Sequence, residues 1–147
     1  MSRRTAREIA LHTLFTMTYD TLSSEEILSD YLSDEGRARL SDEVGAYAKP
    51  LEERDVDFIR IVVSGVDQHR NELDEEIGRR AIKWQTDRIS RIALSVLRMA
   101  FFEVLYLPDT DNAVAANEAV ELAKKYDSKE SAAFINGILG TLIREKE

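Results

Sequence analysis

The stretch that decides the fold is "NEAVELAKKYDSKESAAFINGILG", Asn117 to Gly140. Asn117, Glu118, Glu121, Lys124 and Lys125 fall at i, i+1, i+4, i+7 and i+8, one polar stripe of an α-helix. Ala116, Ala119, Val120, Leu122 and Ala123 fill its other side. "KKYDSKES" then breaks the pattern, and Ser128 is a natural cap for a second helix. Within that helix Phe134, Ile135, Ile138, Leu139 and Leu142 recur at helical spacing and are predicted to pack inward. Ala132, Ala133, Gly137 and Gly140 are small enough to let neighbouring helices approach closely. The stretch reads as a helical hairpin whose turn carries three lysines and Tyr126.

Working outward, every other patterned segment is helical as well. Ala6, Ile9, Ala10, Leu14 and Met17 predict a helix from about Arg3 to Tyr19, with Leu11 and Phe15 widening its apolar face. Ser23 followed by Glu26 is a capping-box signature and opens a short second helix. From Ser33 to Pro50, turn formers and charges predict a loop. Val56, Ile59, Val63 and Val66 mark a third helix; Ile77, Ala81 and Trp84 mark a shorter fourth, starting near Asp74. Asp87 is the expected cap of a fifth, in which Ile89, Ile92, Val96, Ala100 and Val104 repeat up to Leu107 and the stop at Pro108. With no convincing period-two segment, the fold class is all-α: about seven helices in one domain spanning residues 1–147.

Composition excludes several function classes. With no cysteine there is neither a disulfide nor thiol chemistry, which fits a reducing cytosol. The longest apolar-rich run is interrupted by Arg98 and Glu103 and is too short to span a bilayer. The N-terminal segment lacks the apolar core and cleavage site of a signal peptide. A net charge of −8 argues against a nucleic-acid partner only until its distribution is read. Between Asp20 and Asp57 there are 12 acids and 4 bases, whereas the rest of the chain carries 16 of each. Arg3, Arg4 and Arg7 form a small basic footprint with no acid among the first seven residues.

Catalytic readings find little support. His12 and His69 are the only histidines, and neither follows a glutamate by three residues as the di-iron helix motif requires. Glu8 and His12 share a helix face, but two groups do not make a metal site. Glu118 and Glu121 read as part of a solvated stripe, and the six glycines form no phosphate-binding loop. Asn117 and Asn136 sit beside apolar neighbours and are expected to tie helices together through hydrogen bonds. No catalytic residue, metal ligand or cofactor site is expected.

Three blocks, "RRTAREIALHTLF", "ISRIALSVLRMAFFEVLYL" and "AVAANEAVELAKKYDSKESAAFINGIL", resemble in order and spacing the signature blocks of the NusB family of bacterial transcription antitermination factors. The similarity covers nearly the whole chain outside the acidic 20–55 region, and the last block is the most specific. The resemblance implies two packed helical bundles that bind boxA, a short single-stranded RNA element. It implies NusE, a small-subunit ribosomal protein, as partner, and action in the cytoplasm on RNA polymerase so that it reads through terminators, including in ribosomal RNA operons. It implies no cofactor and no reaction.

Single-stranded RNA is held by cations on phosphates and by rings stacked on splayed bases. Given the resemblance, the expected RNA-facing residues are Arg3, Arg4 and Arg7, with Tyr126 and Lys129 in the hairpin turn. By themselves the three arginines also fit a solvated, frayed terminus, and Tyr126 also fits a helix-end residue packed on the core. Correspondence with the family adds Glu130, Ser131 and Phe134 near the RNA, and Phe15 on the partner-facing surface. The chain departs from the family pattern at Thr5, Phe15, Ala93 and Gly140, where arginine, tyrosine, an acid and aspartate are frequent. Two alternatives remain open at this point: the NusB-like domain of certain ribosomal RNA methyltransferases, and a helical adaptor, monomeric or homodimeric, that binds only protein.

Overall fold

In the computed structural model residues 2–81 and 89–147 are described. Trp84 and Asp87, expected in the fourth helix and at the start of the fifth, lie outside them. Eight α-helices and one 3-10 turn make up the secondary structure of the described residues, with no strand among them. They fall into two compact units, residues 1–67 and 68–147.

The first unit opens with α1 (Arg3–Met17), whose N-terminus is capped by Ser2: its Oγ accepts from the Thr5 amide at 3.2 Å. Ala6, Ile9, Ala10, Leu11 and Leu14 are buried along one side of it. In α2 (Ser24–Tyr31) the expected capping box is present, with the Ser23 and Glu26 side chains each accepting from the other's amide at 3.2 Å. The predicted loop at 33–50 is instead largely structured, as α3 (Asp34–Leu40) and a 3-10 turn (Gly45–Ala48). The reason is local. Ser33 Oγ caps the Gly36 amide at 3.0 Å, acids occupy the first turn and Arg37 and Arg39 the last, in keeping with the helix dipole. Gly36 is required by close approach, because a Cβ there would run into the Asp30 carbonyl.

An aromatic cluster ties this acidic segment to α1. The Tyr31 ring stacks on His12 at 4.8 Å, and the buried Tyr47 places its hydroxyl 2.8 Å from His12 Nδ1. The last helix of the unit, α4 (Glu53–Gln68), buries Phe58, Ile59, Val62, Val63 and Val66, and an Arg60–Glu25 ion pair links it to α2.

In the second unit α5 (Arg70–Arg80) begins four residues before the expected start at Asp74. α6 (Arg91–Tyr106) is capped by Ser90, whose Oγ accepts from the Ala93 amide at 3.0 Å. The opening hairpin is α7 (Asn112–Tyr126) and α8 (Lys129–Lys146). It is closed by Ala115, Ala119, Leu122 and Ala123 on one helix and by Ala132, Phe134, Ile135, Ile138, Leu139 and Leu142 on the other, all buried. Arg98 grips Asp74 through two hydrogen bonds of 2.7 and 2.9 Å, which orients α5 against α6. Arg80 joins α5 to α8 by bonding both Glu76 and Glu145.

Two expectations about this hairpin are corrected. Asn117 and Asn136 are exposed, and neither side chain bonds another described residue, so they tie no helices together. Ala133 and Gly137 are also on the solvent side, with open space where a Gly137 side chain would stand, while Gly140 faces the Arg144 guanidinium. Of the small residues expected to admit a neighbouring helix, only Ala132 is buried.

Candidate nucleic-acid interface

The expected site residues lie in both units, and each group is built by its own helix ends. In the first unit the Ser2 cap makes the helix regular from Arg3 onward, so the arginines stand on a folded turn. That turn holds no acid. Arg3 and Arg4 are exposed. The Arg3 guanidinium lies 4.0 Å above the Phe58 ring, a cation–π contact that fixes its stem while its edge stays in solvent.

Arg7 is different. It is only 4% exposed, with its guanidinium 5.5 Å from the same Phe58 ring. It stands one turn deeper than Arg3 on the same side of α1, and of the three arginines expected to face RNA it is the buried one.

At the other end of α1, Phe15 is half-buried and meets the Tyr19 ring edge-to-face at 5.0 Å. Tyr19 is 63% exposed and Leu22 47% exposed. Neither is expected at this surface from the apolar pattern alone; the i, i+4 spacing of Phe15 and Tyr19 is the local signal for it.

In the second unit α7 ends at Tyr126, which is half-buried with the Lys125 ammonium 5.4 Å from its ring. Ser128 accepts from the Ser131 amide at 3.0 Å and starts α8, leaving Lys129 and Glu130 exposed in its first turn. Between the helices Asp127 makes two side-chain contacts through one oxygen. Its Oδ2 accepts from the Ser131 hydroxyl at 2.5 Å and from the Ser90 hydroxyl at 2.7 Å. The hydroxyl of Ser131, expected near RNA, is thus already engaged inside the turn. Phe134 is 8% exposed. Its helical spacing correctly predicted the core, and the ring lies buried in α8 one turn after Glu130.

The histidines have structural surroundings. Burial lowers the His12 pKa, with Glu43 opposing the shift, in the cluster with Tyr31 and Tyr47. The His69 ring stacks on Tyr106 at 4.2 Å, and both bond Glu72 Oε2 at 3.0 Å. Among the described residues no group of three or more His, Asp or Glu side chains could hold a metal ion. No helix of the described residues is long and apolar enough to cross a membrane.

The family model described as "NusB family" matches residues 4–144. The transcription antitermination protein NusB of Clostridium botulinum (strain Hall) is 35% identical over 97% of this chain and 100% of its own length. The protein of the same name from Clostridium novyi (strain NT) is 35% identical over 98% of this chain and 99% of its own. Among solved structures, NusB of T. maritima superposes with a TM-score of 0.82 at 27% identity, covering 99% of this chain and 92% of that one. A crystal structure of antitermination factors NusB and NusE in complex with dsRNA superposes at 0.77 over 97% of this chain and 96% of that one, with 19% identity, and so speaks for the fold.

Proposed function

Because the chain belongs to the NusB family, we propose that it is a transcription antitermination factor that binds boxA RNA together with NusE and so modifies RNA polymerase for read-through, including on ribosomal RNA operons. The observation that carries this is the extent of the match, which runs from residue 4 to residue 144 and therefore includes both helical units. NusE and an RNA partner come into the proposal from the solved complex of NusB and NusE with dsRNA; boxA, as a single strand, comes from the family resemblance. The reading assigns no reaction and no cofactor, and the site of action is the cytoplasm, where bacterial transcription occurs.

The chemistry of the exposed side chains fits a single-stranded RNA partner. Arg3 and Arg4 offer two cations on an acid-free helix turn, and Lys129 offers a third at the hairpin. Tyr126 supplies a ring on which a base can stack, with Lys125 beside it. Arg7 and Phe134 act from below, by holding α1 and the hairpin in shape. Glu130 sits next to Lys129 and repels phosphate, so it works as a brake on affinity. The exposed Tyr19 and Leu22, with half-buried Phe15 against Tyr19, give NusE an apolar, aromatic contact.

The direct test is fluorescence anisotropy of labelled boxA RNA with the full chain, with and without NusE. Binding that tightens when NusE is added is expected. A chain that binds neither the RNA nor NusE refutes the proposal, and self-association without RNA binding would favour the homodimeric adaptor.

A further inference from the structure

The Asp127 contacts reach beyond the hairpin. Ser90 is 37 residues away in sequence and is the cap of α6, yet its hydroxyl donates to Asp127 Oδ2 at 2.7 Å. The same oxygen takes the Ser131 hydroxyl from the first turn of α8. One carboxylate therefore holds three helix ends: the end of α7, the start of α8 and the start of α6. Arg91 is the residue after Ser90, exposed, in a first turn that contains no acid. Tyr126 is the residue before Asp127, and Lys129 is two residues after it. Successive Cα atoms are about 3.8 Å apart, so the clasp brings Arg91 within side-chain reach of the turn.

Resting on the RNA-binding reading above, we infer that Asp127 is a positioning residue that locks the hairpin turn onto the start of α6, and that Arg91 thereby becomes a phosphate contact on the same RNA surface as Tyr126 and Lys129. The carboxylate itself faces two hydroxyl donors and meets no phosphate. This assigns opposite signs to two neighbouring acids. Glu130 is an exposed brake, and removing its charge strengthens RNA binding. Asp127 is a clasp, and removing it weakens RNA binding even though an anion has gone. A carboxylate that merely decorated the surface would behave like Glu130, so the sign separates the two roles.

The test uses the full chain, labelled boxA RNA and salt titrations. Asp127→Ala is expected to weaken RNA binding by at least about fivefold, the lower end of what one stacked base contributes. Ser90→Asp keeps a good helix cap but sets a second carboxylate against Asp127. It is expected to weaken binding likewise, and Asp127→Asn in the same chain is expected to restore it, since an amide can donate to the new acid and the net charge is again that of the parent. Arg91→Ala is expected to flatten the log–log salt slope by about 0.7 in the parent, and by less when combined with Asp127→Ala. Thermal melts of each variant identify any that has lost its fold, and the Ser90→Asp/Asp127→Asn rescue stands independently of them. Tighter binding by Asp127→Ala, an unaffected Ser90→Asp variant, or an unchanged slope for Arg91→Ala overturns the inference while RNA binding by the parent still stands. A parent chain that binds no boxA RNA, with or without NusE, overturns the functional reading and this inference with it.

Discussion

Replacing Arg3 and Arg4 together by alanine separates RNA contacts from structural arginines. Each phosphate neutralised on a single strand contributes about −0.7 to the slope of log affinity against log salt. Losing two contacts should flatten the slope by about 1.4. Over a fourfold rise in salt, from about 50 to about 200 mM, the parent's advantage over the variant should then shrink by about sevenfold. The cation–π contact that Arg3 loses with Phe58 at 4.0 Å contributes about 0.5–1 kcal/mol at such a site. That corresponds to a melting shift of about 1–4 °C for a chain of this size, and melts of the single variants read the share of each arginine. Arg7 must stay, because at 4% exposure its removal would empty packed space and mix unfolding into the measurement. Anisotropy across the salt series, with circular-dichroism melts alongside, reads both quantities. A slope equal to the parent's would refute the assignment of Arg3 and Arg4 to phosphates.

Further outcomes follow from the same geometry. Glu130→Gln should tighten boxA binding by the chain alone, with the gain fading as salt screens the field; weaker binding would mean that Glu130 accepts a hydrogen bond from a base. Asn117→Ala should change unfolding free energy by less than about 0.5 kcal/mol, as expected for an exposed helix position; a loss above 1 kcal/mol in urea melts would restore the helix-tying role that its exposure denies. The lowered pKa of His12 means that below about 6.5 the unfolded chain binds a proton there more readily than the folded one. Stability should therefore fall as pH drops from about 6.5 toward the lower folded value, at up to about 1.4 kcal/mol per pH unit, and His12→Gln should remove that component; an identical pH profile in the variant would exclude His12 as its source.

The helices that could be read from sequence were those whose signal is local and periodic. The capping box at Ser23 and Glu26, the stop before Pro108 and the hairpin at Tyr126–Ser128 each rest on a few adjacent residues, and each stands where expected. The segment 33–50 was misread because its order comes from elsewhere. Its charges and turn formers give little helical period, while Tyr47 is buried through a partner on α1, His12, that lies 35 residues away. A short helix capped by Ser33 becomes stable once such a tertiary contact exists, and no local pattern reports that contact.

The site shows the same division, with exposure as the deciding quantity. Arginines at positions 3, 4 and 7 look alike as a basic run, and Arg3 and Arg7 even share a helix face over Phe58. Yet Arg7 stands one turn deeper and is buried, while Arg3 and Arg4 at the helix start are exposed. Phe134 was legible as core from its spacing, since spacing states which face the ring occupies. Asn117 and Asn136 failed in the opposite direction, because a polar residue among apolar ones in sequence need not be among them in space. Asp127 was legible only as a turn former. Its bond to Ser90 joins residues 37 apart, and the consequence for Arg91 exists only once α6 and the hairpin are folded together. A local pattern can therefore nominate the side chains of a binding surface, but which of them form one surface is decided by contacts distant in sequence.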